Sequence, residues 1–221
     1  MNKIEKSVLN IKSNYRFYRK SDYSGIWSKD NQANKYLIEK LKEKFLSIMP
    51  NKLKDKNILD VGCGNGWLLD LFYSKGANKE NLYGVDLNKK INKFKFKIAE
   101  ASNLPFKSNF FDIITASTLF SSVLNSEHRK LIAEEILRVL KKQGIIIVYD
   151  IRFNNPFNKR VTRIDKKEIK RLFGNKKFKF IKTTLNPIIL RKVYKILPIS
   201  IKFLEKLSFL KSHYLTIIKL Q

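Results

Sequence analysis

The feature that most constrains this chain is a short apolar run that ends in three alternating glycines, "ILDVGCGNG", residues 58–66. Only eight glycines occur in 221 residues, so three within five positions is a strong concentration. Glycine adopts positive φ at little steric cost and lets the backbone approach a ligand closely. The apolar residues before the turn and "WLLDLF" after it predict a buried strand, a ligand-facing turn and a helix.

Strand-like and helix-like segments alternate along most of the chain. Residues 32–49 and 126–143 carry apolar residues at helical spacing, and residues 165–174 have a capping residue at the start and a glycine at the end. This alternation predicts an α/β domain with a mainly parallel sheet. The strand-like runs are 57–61, 82–86, 94–99, 111–117, 145–150, 178–185 and 213–220.

Composition limits the classes of partner and compartment. Lys and Arg number 46 against 19 Asp and Glu, a net charge of +27, but the lysines are spread along the chain and form no dense basic block. We therefore do not expect nucleic acid as a partner, since nucleic-acid sites usually cluster their charge. A single cysteine, no continuous apolar leader and no apolar run of 18 residues predict a cytoplasmic protein without transmembrane segments.

The glycine pattern also restricts the ligand. The dinucleotide fingerprint, G-x-G-x-x-G, would require its third glycine at position 67. In this chain the third glycine is Gly66, and Trp67 occupies the required position. Asp86, at the end of the next predicted strand, matches the acid that binds ribose hydroxyls. Together these features favour a nucleoside cofactor without a pyrophosphate.

Five motifs in order give the chain a family resemblance: "ILDVGCGNG", "LYGVD", "AEASNLPF", "FDIITAS" and "ILRVLKKQGIIIV". Over residues 58–148 the chain resembles the small-molecule branch of the class I S-adenosylmethionine-dependent methyltransferases. The resemblance implies an enzyme with S-adenosylmethionine as cofactor and no metal. It also implies a doubly wound, mainly parallel seven-stranded sheet with an antiparallel last strand, the Rossmann-like methyltransferase fold.

The resemblance assigns cofactor contacts to individual positions. The loop after the first strand would surround the methionyl part, Asp86 would bind both ribose hydroxyls, Glu100 would face the adenine amino group and Leu104 would pack on the adenine. Only seven residues separate Asp86 from Phe94, which is short for a crossover helix. The predicted cofactor-binding residues are Asp60, Gly62, Cys63, Gly64, Gly66, Asp86, Leu87, Glu100, Ala101 and Ser117.

Two residues are candidates for acid–base chemistry. An oxygen nucleophile must lose its proton, so a base is expected at the cleft. In the implied sheet, His213 opens the antiparallel strand beside Asp150, which ends the fifth strand. We predict that these two form a catalytic dyad; the alternative is that His213 packs in the interior and Asp150 pairs with Arg152.

Later segments give a narrower resemblance that bears on the substrate. "LFSSVL", "YDIRFNNP", "KKEIKRLF" and "LKSHYLTIIK" resemble bacterial methyltransferases associated with surface-polysaccharide biosynthesis. This implies O-methylation of a saccharide or of its lipid- or nucleotide-linked precursor. An RNA or quinone-type methyltransferase and a non-catalytic S-adenosylmethionine-binding module remain alternatives.

The chain is expected to divide into an N-terminal helical cover, residues 1–50, and a cofactor-binding domain, residues 51–221. Within the latter, residues 187–212 form an amphipathic insertion between the last two strands, which would roof the site, dimerise or touch the inner face of the membrane. The sequence does not indicate an oligomeric state. Aromatic and basic residues near the start favour a cover or a substrate lid over an RNA platform: Tyr15, Arg16, Tyr18, Arg19, Tyr23 and Trp27.

Overall fold

A seven-stranded sheet forms the centre of the computed structural model, which describes residues 1–20, 31–88, 92–156, 158–197 and 200–220. Six strands are parallel and one, β7, is antiparallel to both of its neighbours. The predicted fold is therefore confirmed. In sheet order the strands are β3 (Lys95–Ile98), β2 (Leu82–Asp86), β1 (Ile58–Val61), β4 (Phe111–Ser117), β5 (Leu140–Ile151), β7 (Lys211–Lys219) and β6 (Lys177–Leu185).

Helices cover both faces of this sheet, and local signals place several of their ends. The Asn125 side chain accepts a hydrogen bond from the His128 N–H (2.9 Å), and Asp165 does the same for Glu168 (2.9 Å). Both satisfy backbone donors that a helix start leaves unpaired. The helices are α1 (Lys3–Lys20), α2 (Gln32–Ile48), α3 (Trp67–Ser74), α4 (Leu119–Ser122), α5 (Ser126–Val139), α6 (Lys166–Phe173), α7 (Pro187–Ile196) and α8 (Ile201–Leu204).

The end of α5 differs from the sequence-based expectation, which continued the helix to residue 143. The helix stops at Val139, and β5 begins at Leu140, which pairs with Phe111. Pairing resumes between Ile113 and Ile145 after a register shift, so the residues between them bulge. A Cβ at Gly144 would lie 2.9 Å from the backbone carbonyl oxygen of Lys141, so the bulge favours glycine there. Pairing with β4 therefore places residues 140–143 in β5, although their sequence continues the helical pattern.

Two apolar layers hold the helices on the sheet. On one face, Phe45 of α2 and Phe72 of α3 are fully buried against the strands. On the other face, Ile132 and Ile136 of α5 share a cluster with Ile11 of α1. The first helix therefore packs beside α5, on the same face of the sheet.

The remaining segments lie at the two edges of the sheet. The β2–β3 connection has no helix among its described residues, which agrees with its shortness; residues 89–91 fall outside the description. At the other edge, α7 and α8 connect β6 to β7 along the chain; α7 contacts α2 and β6, and α8 contacts α7. No helix in the described part of the chain is long and apolar enough to cross a bilayer.

Candidate functional site

The strand order reverses between β2–β1 and β4–β5, and the carboxyl ends of these strands open onto one crevice, where ligands bind in such folds. Gly62, the first residue of the glycine loop, lines this crevice. Gly62 and Gly64 have φ of 72° and 54°, values that residues with a Cβ rarely adopt. A Cβ at Gly62 would also lie 3.0 Å from Leu119 Cδ1. The glycines are thus required by backbone conformation.

Asp86 holds this loop in place. Its carboxylate accepts one hydrogen bond from the Gly64 N–H at Oδ2 (2.9 Å) and another from the Asn88 N–H at Oδ1 (3.0 Å). The residue is buried at the end of β2 and lines the crevice. Each oxygen keeps a lone pair for a ligand hydroxyl, so Asp86 fits the predicted ribose contact.

Asp60 lies behind the loop. It is buried, and its Oδ1 accepts a hydrogen bond from Thr115 Oγ1 (2.7 Å). Burial raises the pKa of Asp60 to about 7; the Thr115 bond opposes this and the nearby Asp86 reinforces it. Asp60 does not line the crevice, so in this conformation it supports the loop from below.

Glu100 is fixed by a buried histidine that the sequence analysis missed. His128 Nε2 lies 2.8 Å from Glu100 Oε1, and its Nδ1 lies 2.8 Å from Ser7 Oγ of α1. Glu100 Oε2 also accepts a bond from the Ser102 N–H (2.8 Å). Burial raises the pKa of Glu100, but the bonds from His128 and Ser102 outweigh it and hold the pKa below its usual value.

One sequence signal could have identified His128. Residues 128, 132 and 136 follow the four-residue spacing of one helix face, and all three are fully buried. A histidine in that row needs partners for both ring nitrogens. It finds them on two different segments, and thereby connects α1 to the crevice.

The described residues divide the predicted cofactor contacts into two groups. Six line the crevice, and four lie in or below the glycine loop, away from its surface. Leu104 is buried in the core instead of lining the crevice, because its N–H donates to Glu135 Oε2 (2.7 Å) and draws the backbone toward α5. The six lining residues are Gly62, Asp86, Leu87, Glu100, Ala101 and Ser117; the other four are Asp60, Cys63, Gly64 and Gly66.

The first helix closes the crevice from above. Ile11 and Tyr15 line it, and burial beside Asp86 raises the pKa of the Tyr15 hydroxyl above its usual value. The volume left open is about 80 Å³. Of the N-terminal aromatic and basic residues, Tyr23 and Trp27 and the Arg19 side chain lie outside the described part of the chain.

A second cavity of about 700 Å³ adjoins the first and is large enough for a small substrate. The two cavities share four residues: Ile11, Tyr15, Thr118 and Ser122. The walls of the larger one come from α1, the loop after β5, the start of α7 and the start of β7. An acceptor held there would lie beside the cofactor pocket.

His213 lies in the wall of this larger cavity, and its hydrogen bonds define its tautomer. Ser212 Oγ donates its one hydrogen to the Thr184 carbonyl (3.2 Å). The same oxygen lies 2.9 Å from His213 Nδ1, and donation of its hydrogen to the carbonyl makes it the acceptor of an Nδ1–H; we assign the proton to Nδ1 on this basis. The ring stacks on Tyr149 at 4.7 Å, and burial lowers the pKa of His213 to about 4. Among the described residues none hydrogen-bonds Nε2, and with the proton on Nδ1 its lone pair is available to a ligand.

The predicted pairing of His213 with Asp150 is wrong. Residue 213 lies opposite Ile151, and alternate residues of a strand face opposite sides of the sheet. Asp150 therefore faces the other side, where its carboxylate accepts bonds from the Ser121 N–H (3.1 Å) and the Ile151 N–H (3.1 Å). Within the described residues no hydrogen bond joins Asp150 to His213. Burial raises the pKa of Asp150 to about 6, against these hydrogen bonds.

The crevice suits S-adenosylmethionine in its donor and acceptor groups. The glycine loop provides close backbone approach, Asp86 provides an anchored carboxylate, and Glu100 provides a second carboxylate acceptor in the lining. These are the groups that a ribose, an adenine and a methionyl chain require. Binding of the ribose at Asp86 and of the methionyl part at the glycine loop stays a prediction from the sequence.

Comparison with known proteins agrees with this geometry. Residues 59–148 match a family described as a methyltransferase domain. A Campylobacter jejuni ubiquinone/menaquinone biosynthesis C-methyltransferase is 32% identical over 109 residues, covering 44% of this chain and 45% of that protein. A Xenopus tropicalis tRNA (carboxymethyluridine(34)-5-O)-methyltransferase is 29% identical over 112 residues, 48% of this chain and 16% of that protein. The chain spans less than half of either curated relative.

A solved structure extends the likeness to nearly the whole fold. The PH0226 protein of Pyrococcus horikoshii superimposes with a TM-score of 0.64 at 17% identity, over 93% of this chain and 99% of that protein. The matched residues 59–148 contain the glycine loop, Asp86 and Glu100, the solved structure shares the fold, and the match indicates S-adenosylmethionine as the cofactor.

Proposed function

We propose that the protein is an O-methyltransferase whose acceptor is a saccharide, or its lipid- or nucleotide-linked precursor, bound in the 700 Å³ cavity. The observation that carries this proposal is the position of His213 in the wall of a cavity that adjoins the cofactor pocket, with Ser212 Oγ at its Nδ1. A hydroxyl acceptor needs both an open site and a base. The resemblance of residues 119–219 to enzymes of surface-polysaccharide biosynthesis supports the saccharide.

The residues of the site would remove a proton from the acceptor and hold the reacting atoms in line. When bound, the cofactor supplies a methyl group on a cationic sulfur. His213 would accept a hydrogen bond from the substrate hydroxyl at Nε2, and would take its proton as the oxygen forms its new bond to carbon. That oxygen becomes positively charged and strongly acidic during the step, so a base whose pKa is lowered to about 4 suffices. Holding the reacting atoms in line supplies much of the remaining rate enhancement.

An assay with labelled S-adenosylmethionine tests the proposal. Sugar nucleotides, sugar phosphates and lipid-linked sugars serve as acceptors, and His213→Gln serves as the variant. We expect transfer to at least one saccharide, with strongly reduced turnover and unchanged affinity for S-adenosylhomocysteine in the variant. Transfer to quinones or RNA alone would contradict the proposal.

A quinone-type acceptor is the second candidate, and the Campylobacter relative is the observation that favours it. It differs in its requirement for a base, since the reacting position is then a carbon activated by a neighbouring phenolate. His213→Gln should therefore matter less for a quinone than for a sugar hydroxyl. An RNA acceptor would be recognised by measuring affinity at increasing salt concentration, because contacts to phosphates make the affinity fall steeply with salt.

We further propose that the protein is cytoplasmic and touches the inner face of the membrane through the 187–212 insertion. Several large apolar side chains are exposed there, with Ile196 at 82%, Phe203 at 65% and Phe209 at 67%. The insertion contains a single acid, Glu205, which hydrogen-bonds Tyr36. Exposed apolar groups among lysines suit an anionic lipid surface. The exposed lysines are Lys192, Lys195, Lys202 and Lys206.

A further inference from the structure

The larger cavity has a distinctive charge. Two arginines, Arg160 and Arg191, line it together with His213, and no Asp or Glu occurs among its described lining residues. The other polar side chains are uncharged hydroxyls and five amides, which donate and accept hydrogen bonds: Asn14, Asn154, Asn155, Asn158 and Asn186. His213 is uncharged because burial lowers its pKa to about 4. The fixed charge of the wall is therefore positive and comes from guanidinium groups.

Arg160 is held so that its charge is not neutralised. Its Nη1 donates to Asn14 Oδ1 (3.0 Å), and its guanidinium lies 4.0 Å from the centre of the Phe17 ring. Its backbone N–H donates to Asn158 Oδ1 (3.1 Å). All of these partners are uncharged, and among the described residues none forms an ion pair with Arg160. The side chain is thus oriented by contacts that leave its full positive charge available.

An arginine on the loop after β5 can find a carboxylate in this protein when one is near. Arg163, three residues further along, lies 3.5 Å from Asp165 Oδ2 and is 61% exposed, outside the cavity. Arg163 is therefore a neighbouring arginine of the same loop whose charge is paired with a carboxylate and which does not line the cavity. A planar guanidinium with free N–H groups matches the paired oxygens of a phosphate.

We propose that Arg160 binds a phosphate group of the methyl acceptor. The acceptor would then be a phosphorylated saccharide, with its phosphate at Arg160 and its reacting hydroxyl at His213. This inference rests on the proposed methyl transfer, because it identifies the larger cavity as the acceptor site. Free sugar phosphates and lipid-linked sugar phosphates share the group that Arg160 would recognise.

Calorimetry with defined probes tests the site. The probes are glucose, glucose 1-phosphate and decyl phosphate, each added to protein saturated with S-adenosylhomocysteine. We expect glucose 1-phosphate to bind at least tenfold tighter than glucose, and to lose about tenfold to 100-fold in affinity in Arg160→Gln. Tighter binding of decyl phosphate than of glucose 1-phosphate would assign the phosphate to a lipid carrier, and the reverse to a soluble sugar phosphate.

Matched controls separate the site from general charge. Arg163→Gln removes the same charge from the same loop and should leave every affinity unchanged. Increasing salt should weaken glucose 1-phosphate and leave glucose unaffected, which tests the wild-type protein if Arg160→Gln fails to fold. Equal affinity of Arg160→Gln and wild type, equal binding of the neutral and phosphorylated sugars, or no binding of either phosphate probe would overturn the proposal.

Failure here is distinguishable from failure of the methyl transfer. Phosphate binding that depends on Arg160, without transfer to any saccharide, would leave the anion site standing and reject the O-methyltransferase. Transfer to a neutral sugar at a rate that Arg160→Gln leaves unchanged would support the O-methyltransferase and reject the phosphate site at Arg160. Binding of S-adenosylhomocysteine is measured in both cases and reports on the cofactor pocket alone.

Discussion

Replacement of Asp86 tests the cofactor pocket most directly. The two ligand hydroxyls would each donate to an ionised carboxylate, and bonds of this kind contribute about 1.5–3 kcal/mol. Asp86→Ala should thus weaken S-adenosylhomocysteine by about 3–6 kcal/mol, roughly 10²- to 10⁴-fold. The same change leaves the N–H groups of Gly64 and Asn88 without their acceptor. We therefore also expect the free energy of unfolding to fall by about 1–2 kcal/mol.

Calorimetry and urea denaturation measure the two effects separately. Asp86→Asn keeps one oxygen acceptor but cannot accept from Gly64 and Asn88 together, so its losses should be intermediate. Asp70→Ala is the matched control, because Asp70 is half-exposed on α3 and its one ion pair among the described residues is with Lys93. A folded Asp86→Ala protein that binds S-adenosylhomocysteine within twofold of wild type would refute the assignment of the ribose to Asp86.

Three further predictions follow from other parts of the structure. His213→Gln should lower turnover by about 10²-fold or more. The stability of this variant relative to wild type should improve as the pH falls from about 6.5 toward 4. In that range the imidazole of the unfolded wild type binds a proton that the folded ring does not, so the wild type loses stability and the variant does not. Normal turnover of this variant between pH 6 and 8 would exclude His213 as the base. Ser7→Ala should lower the free energy of unfolding by about 1 kcal/mol and His128→Ala should lower it more, as measured by urea denaturation. Both variants should bind the cofactor more weakly in calorimetry. Unchanged cofactor affinity in both would contradict a role in the pocket for the hydrogen bonds from Ser7 through His128 to Glu100. The protein should sediment with anionic vesicles in low salt and lose this binding in high salt or on Phe203→Ser with Phe209→Ser; equal sedimentation with neutral vesicles would exclude the electrostatic contact.

Local sequence determined the part of the molecule that depends on contiguous residues. The strand, glycine turn and helix of residues 58–74 are encoded by an apolar run, positive-φ glycines and a second apolar run, all within one segment. Asp86 ends a strand whose bounds matched the pattern because both faces of that strand are largely buried. Such features need no knowledge of distant neighbours, so pattern and spacing suffice.

Tertiary structure alone decided how distant segments meet. The β5–β7 register places His213 and Asp150 on opposite faces of the sheet, and a shift of one residue would have exchanged that outcome. Glu100 acquires its orientation from His128 and Ser7, which come from two other helices. Arg160 reaches the acceptor cavity because α1 supplies both Asn14 and Phe17. Each of these contacts joins residues far apart in the chain, and their pairing depends on packing that no local pattern of the sequence encodes.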